Sequence, residues 1–553
     1  MTDKIIRGAG GPPPTPPPPY RAPDTLNSRQ FASIQDLISE GEIEGFATPS
    51  KAGLSKGSTA YNNAALKDIF LNGTPILNSS ASNTNPQTAD FNFQNVGFTP
   101  RFGTSNQTHV PGIEGSQSTS SVGVTVTNSS PVTRQITNTA VDAAKVTITF
   151  PQLQKATDEG DLLGSSVNLK IQVQYNSGGF TDVIDDTITG RTADAYQKEY
   201  RVSFTGSFPV DIRVVRVTAD STSSNLVDAF TWTSISEIVD DKQRYLNSAY
   251  TNLRIDSEQF SSIPKRAFRI RGVKVRIPGA GASSSGTPTV DLQTGRVVYP
   301  SGYIFNGTMG AAQWCSCPAL ILLDLLTTER YGFGTHITDS NLDLFSFIAA
   351  SKYANELVDD GFGGQEARFS CNVNIQGSTE AFTLINELAG VMRCFPIWSE
   401  GSVTISQDRP TDPSYLFSLA NVGEGGFSYS GSSLKQRHTV INVSYFNMDS
   451  REIDYEVVED TSAQNKLGII KKDVKAFACT SRGQAQRLGK AILFSEQQET
   501  EVVSFTTSID AGAIVRPGSV ISVNDPVRGG ERRSGRIKSA TTTAITVDNV
   551  KDL

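Results

Sequence analysis

The sequence predicts a β-rich α+β chain of several domains, one of them a β-sandwich inserted into a larger domain. Three observations predict it. At 553 residues the chain exceeds what one hydrophobic core organises and, at roughly 150 residues per domain, divides into about three or four. A hydrophobic share of 37% beside 47 glycines suits strands and loops better than helices. The runs KVTITF, VNLKIQVQY, YRVSFTG and VDIRVVRVT alternate apolar and polar residues between Gly, Asn and Asp turns, the pattern of a sandwich.

At the front, residues 9–20 read AGGPPPTPPPPY, an extended polyproline arm. Such an arm serves as a leader or as a peg that docks on a neighbouring subunit, because a pre-extended segment loses little entropy on binding. Phe31, Ile34, Leu37 and Ile38 then recur at the spacing of one helical face, with Asn27 or Ser28 as N-cap and Gly41 as a left-handed stop. Glu42-Ile43-Glu44 alternates as the start of a strand leading to Phe46, which turns Glu40, Glu42 and Glu44 to water. A carboxylate pair for acid–base work needs two environments that split its pKa values, and no apolar pocket is supplied here.

Next, IFLNGTPIL centres on Asn72-Gly73, the signal for a type I′ hairpin. Residues 78–139 turn to Ser, Thr, Asn and Gly, as long surface loops or weak edge strands do. The sandwich strands follow. Pro318 then opens a helix, ALILLDLLTTERYGFG, apolar on most faces and so buried. Leu342, Phe345, Ile348, Ala349 and Tyr353 line a second helix; Ala381, Leu384, Ile385, Leu388 and Met392 line a third. Ser481 with Gln484 has capping-box spacing and opens a fourth. Among and after them, SVTISQDR, HTVINVSYF, TEVVSFTTS, SVISVND and TAITVDNV read as strands, with Pro517-Gly518 turning a hairpin.

Several function classes lose support at this point. No run reaches the roughly 18 apolar residues of a membrane span, and MTDKIIRGAGG lacks the apolar core of a signal peptide, so Sec export is not expected. The five cysteines, Cys315, Cys317, Cys371, Cys394 and Cys479, are too sparse for a disulfide scaffold and read as structural thiols of a reducing compartment. Cys315-Ser316-Cys317 is too tight for a zinc knuckle, and His109, His336 and His438 lie far apart, so no metal or cofactor site is expected. A net charge of −7 argues against a phosphate-gripping protein, and Lys265-Arg266 or Arg532-Arg533 read as solvated surface.

Seven longer phrases carry a resemblance: ISEGEIEGF, IFLNGTPIL, WTSISEIVDDKQRYLNSAYTNLRIDSEQF, WCSCPALILLDLLTTERYGFG, VDDGFGGQEARFSCNV, VMRCFPIWSEGSVTISQDRP and FACTSRGQAQR. Together and in this order they resemble the tail tip attachment family, the host-specificity protein J of lambda-like siphophages, from about Asn27 to Leu553. The resemblance implies a homotrimeric ring of barrel-like tail hub domains around a central lumen, with no enzyme activity, catalytic residue or cofactor. It divides the chain into a Pro-rich arm (1–26), a split hub domain (27–78 and 233–340), an inserted β-sandwich (79–232), an α+β domain (341–430) and a second barrel-like hub domain (431–553) with a helix near 481–497. Implied partners are the distal tail protein, the tape-measure protein C-terminus, small tail-tip proteins, a host cell-surface receptor reached through a region beyond this chain, and genomic DNA in transit. The implied location is the virion tail tip, after assembly in host cytoplasm. The hubs of gene transfer agents are a close variant. Two departures stand out: the polyproline arm does not match the family's usual leader, and members continue into fibronectin-like modules and a receptor-binding tip beyond the point reached here.

If three copies line a DNA channel, a lumen of net negative charge is expected, because cationic walls would trap the genome. Two rival classes remain. A tail-associated carbohydrate-degrading enzyme would use Asp256 with Glu258, or Asp359 with Asp360, but only Trp232, Trp314 and Trp398 are available to build a sugar groove. A freestanding adhesin would use the Ser/Thr-rich strands but lacks an export signal. GFGG has no following Lys-Ser/Thr, so it reads as a tight turn rather than a phosphate loop.

Overall fold

In the computed structural model, which describes residues 18–28, 30–260, 262–377, 380–399, 401–433, 437–529 and 536–547, strands dominate. The chain sorts into two units, Ser55–Arg269 with the described part of Met1–Ser39, and Glu40–Leu54 with the described part of Ile270–Leu553.

The first unit contains the sandwich. One four-stranded sheet runs in the order Thr181–Gly190, Ser165–Tyr175, Val210–Arg216, Val132–Ile136; the other runs Tyr196–Ser203, Ala143–Phe150, Thr231–Asp240, Glu114–Thr125. Alternation explains the pairing. Val167, Leu169, Ile171 and Val173 are wholly buried against Val146, Ile148, Phe150, Ile212, Val214 and Trp232, while Asn168, Lys170 and Gln172 point away. Each such side chain contributes roughly 1.5–3 kcal/mol relative to exposure. The Ser/Thr-rich stretch supplies the outermost strand, Glu114–Thr125, almost fully exposed. Inside, Arg216 is held by Asp228 at 2.7 Å and by the carbonyls of Thr218 and Asp228, which offsets the cost of burying its charge.

Beside the sandwich the chain enters and leaves through neighbouring strands: Gly97–Phe102 pairs antiparallel with Ser248–Asp256, whose other neighbour is Phe31–Glu40. Phe31–Glu40 was expected to be a helix and is a ten-residue strand. Ala32, Ile34, Asp36 and Ile38 turn inward while Phe31 and Leu37 stay exposed, so period two prevails over the helical spacing. Asn72 (φ 49°) and Gly73 (φ 88°) form the expected two-residue turn between Ile69–Leu71 and Thr74–Pro75.

The polyproline run from Ala9 to Pro17 lies outside the described residues. Its sequel is seated on the sandwich of its own chain. Arg191 donates to the Ala22 carbonyl and to Asp24, each at 2.7 Å, and the backbones of Tyr20 and Ala22 bond to Leu162.

In the second unit Gly41 has φ 94°, as the reading of a left-handed glycine requires, but it follows a strand instead of ending a helix. A Cβ there would stand 2.9 Å from the Tyr331 ring. Ile43–Phe46 pairs with Ile270–Val273. Helix Pro318–Thr327 begins at its proline and is buried on nearly all sides, packing with Leu344–Ala354 and Ala381–Val391 in one core. In Leu344–Ala354 the buried face is Phe347, Ile348, Ser351 and Ala354, and Phe345 is exposed, so the expected stripe is rotated. Ile521–Asn524 is no hairpin partner of its neighbour but runs parallel to Tyr415–Ser418, although Pro517-Gly518 does turn the chain. Among the described residues the sheets have two to four strands and none closes, so the barrel-like hub domains implied by the resemblance are not seen as barrels.

Candidate interaction surface

The acids singled out in the sequence hold the scaffold. Glu40 meets Arg330 at 2.5 Å, and Lys274 lies 2.6 Å from Glu42 and 3.8 Å from Glu44. They pair with bases rather than simply facing water. Asp256 is buried and accepts from the Glu258 backbone and from Asn95, each at 3.1 Å, while Glu258 is exposed. Asp359 and Asp360 accept from the N–H groups of Gly361, Phe362 and Gly364, which makes GFGG the tight turn between Leu357–Asp359 and Gln365–Ala367. The Phe362 and Gly364 N–H bonds hold the Asp360 carboxyl below the usual range. These carboxylates serve backbone and bases rather than a cleft. Arg266, read as solvated, instead clasps Asp36 through two bonds of 2.6 and 2.8 Å; Arg532-Arg533 lies outside the described residues.

Two of the resemblance phrases, more than a hundred residues apart, meet in one polar joint. Ser481 caps the Arg482–Gln498 helix by accepting from the Gln484 N–H at 3.1 Å. The reciprocal half of the capping box is not made: the Gln484 side chain bonds both the N–H and the carbonyl of Ser370. Glu366 accepts from the Ser481 hydroxyl at 2.5 Å and from Arg487 at 2.7 Å, and a carboxylate beside a helix N-terminus also meets its dipole favourably. Arg487 further reaches the carbonyls of Ala367 and Arg368, and Arg482 stacks 4.0 Å over the Phe362 ring. Spacing alone revealed the cap, but not its remote partner.

All five cysteines are free and buried. Burial pushes the Cys371 and Cys394 thiols up to about 12, which suppresses the reactive thiolate. No three His, Cys, Asp or Glu side chains among the described residues converge as a metal site. His438 is bonded to Glu496 at 2.8 Å, and Lys472 meets the same carboxylate at 3.0 Å.

A surface of another kind lies on the sheet ordered Glu452–Glu459, Val440–Asn447, Lys471–Lys475. Its inner face, with Ile441, Val443, Tyr445 and Val458, packs on Ala485 and Leu493 of the Arg482–Gln498 helix. Its outer face carries Ile453, Tyr455 and Val457 at successive alternate positions, with Phe446 directly opposite Ile453. These four are 42–64% exposed. Contiguous apolar side chains on an open sheet mark a contact surface more readily than scattered ones do.

Comparison with known proteins bears on the whole chain. Residues 116–241 match the domain model "Tip attachment protein J, FNIII-A domain", and residues 380–540 match "Putative phage tail protein". The first covers the sandwich; the second includes the open sheet. The Tip attachment protein J of Escherichia phage SECphi4 is 30% identical over 98% of this chain and 45% of its own length. That of Escherichia phage SECphi27 is 29% identical over 95% and 41%. The chain thus spans less than half the length of these relatives. A chain from the solved virion of a native gene transfer agent particle aligns over 57% of this chain and 69% of its own, with 15% identity and a TM-score of 0.35, too slight a likeness to bear on function. Two phage-tail domain models on separate segments, and relatives that align along nearly the whole of this chain, together support a tail tip protein of the tip attachment protein J family.

Proposed function

We propose that the chain is a structural component of the phage tail tip that serves host attachment: a homotrimeric central hub that closes the tail tube, organises the tail-tip proteins and takes part in DNA ejection. The observation that carries this reading is the 30% identity to a tip attachment protein sustained over 98% of the chain. The structural observations agree with it in kind. Its conspicuous carboxylates hold turns and ion pairs, and the Phe446, Ile453, Tyr455 and Val457 patch is a sheet face, a surface for protein contact. The proposed neighbours are the distal tail protein, the tape-measure C-terminus and small tail-tip proteins, with receptor contact through a further region and DNA passing along a lumen of net negative charge. The domain plan drawn from the resemblance, with hub segments 27–78 and 233–340 around an inserted sandwich, belongs to the same proposal. So does assembly in host cytoplasm.

Imaging purified particles by cryo-electron microscopy tests the reading. Three copies around the axis at the tail end are expected; one copy there, or none in the particle, would overturn it.

A further inference from the structure

The open sheet has two unlike edges. The outer strand Glu452–Glu459, EIDYEVVE, carries four acids and no base; the opposite outer strand Lys471–Lys475, KKDVK, carries three lysines and one aspartate. Some of these charges are engaged: Glu456 with Arg482, Lys472 with Glu496, and Asp454 with the Tyr445 hydroxyl. The side chains of Glu452, Glu459, Lys471 and Lys475 are exposed and make no ion pair among the described residues. Glu459 and Lys471 both stand opposite Val440, one on each side of it. Neither outer strand has a further strand partner among the described residues, so each presents an open edge, on which the Tyr455 N–H is held at 2.8 Å by the Asp454 carboxylate.

A free edge invites another strand, and its charge selects which one. Two copies related by a two-fold axis through the acidic edge would set carboxylate against carboxylate; through the basic edge they would set lysine against lysine. Head-to-tail association sets the acidic strand against the basic one, with Glu459 on the same sheet face as Lys471 and Lys475. Repeated, a head-to-tail contact whose rotation closes makes a ring and removes both edges from every copy.

We infer that the acidic edge Glu452–Glu459 of one copy pairs with the basic edge Lys471–Lys475 of a second copy of this chain, which carries the sheet across from one copy to the next. This inference rests on the hub reading and names the seam of its ring. Within one copy the acidic strand runs antiparallel and the basic strand parallel to the strand between them. Rotation about an axis along the strands preserves that relation, so the ladder between copies is antiparallel.

The test uses the 553-residue chain and light scattering coupled to gel filtration at low salt. One variant reverses the basic edge, Lys471→Glu with Lys475→Glu; a second reverses the acidic edge, Glu452→Lys with Glu459→Lys; a third carries all four changes. Wild type is expected to self-associate. Each single-edge variant is expected to do so about a hundredfold more weakly, because like charges then face each other, and the four-fold variant is expected to recover. Circular-dichroism melts check that all remain folded. Should a paired reversal melt early, the single reversal Lys471→Glu or Glu459→Lys replaces it, with a loss of association in the same direction expected. If single-edge reversal leaves the oligomer unchanged, the seam is wrong while the hub stands. If the four-fold variant fails to recover, charge pairing between the edges is refuted. If wild type is a monomer at every concentration and the particle holds one copy or none, the hub falls, and the seam with it.

Discussion

Removing the Glu366 carboxylate should loosen the Arg482–Gln498 helix by an amount the structure sets. Glu366 accepts two bonds, from Ser481 at 2.5 Å and from Arg487 at 2.7 Å. Charge-assisted bonds contribute about 1.5–3 kcal/mol each. With the Glu366 side chain 26% exposed and that of Arg487 21%, solvent screening favours the low end, so Glu366→Ala should cost about 3 kcal/mol. Glu366→Gln keeps an acceptor for Ser481 and loses the charge, at about half that cost. Amide hydrogen exchange followed by mass spectrometry reads this locally. Exchange in the helix should accelerate about 150-fold for Glu366→Ala and about tenfold for Glu366→Gln, at 1.4 kcal/mol per decade. Sandwich amides serve as the internal reference. Ser481→Ala combined with Glu366→Ala should fall short of additivity by about 1–1.5 kcal/mol, since the two share a bond. Helix exchange changed less than twofold in Glu366→Ala would show that the joint is decorative and refute the reasoning.

Further outcomes follow from the same geometry. In the sandwich, Asp228→Ala strands the buried Arg216 and should cost about 3 kcal/mol by denaturant titration, whereas Asp220→Ala, whose side chain is 44% exposed, should cost under about 1 kcal/mol. Arg276 donates two bonds to Asp339 and holds that carboxyl below its ordinary value. The stabilisation is therefore complete above about pH 4 and lost as pH falls through the lowered value, so Asp339→Asn should be slightly less stable at pH 7, with the gap closing in acid. Gly332→Ala places a Cβ 2.0 Å from the Leu325 carbonyl oxygen and should lower the melting transition by at least the roughly 1–3 kcal/mol of overpacking. The five buried thiols should resist Ellman's reagent at pH 8 in the folded chain and react in denaturant; fast labelling of the native protein would contradict their burial.

The fold was legible where the signal was local. The Asn72-Gly73 turn, the proline-opened helix and the Ser481 cap each depend on a few consecutive residues, and each is present. The sandwich strands were legible because alternation along Ser165–Tyr175 needs no knowledge of the partner. Phe31–Glu40 failed because Phe31, Ile34, Leu37 and Ile38 fit the helical spacing, while the strand that sets its real conformation, Ser248–Asp256, lies some two hundred residues on. The same remoteness hid the parallel pairing of Tyr415–Ser418 with Ile521–Asn524. Barrels were a legacy of resemblance rather than a reading of residues. As for the contact surface, Ile453, Tyr455 and Val457 resemble any half-buried strand until the Arg482–Gln498 helix is seen to occupy the other side.

The strands through which the chain enters and leaves the sandwich lie side by side, with Phe102 across from Ala249 and Arg101 across from Tyr250. A graft at that doorway needs only a short loop to span it. The platform can thus accept a larger, smaller or different module there without rebuilding its own sheet, and a lineage can exchange the module while leaving its foundation in place.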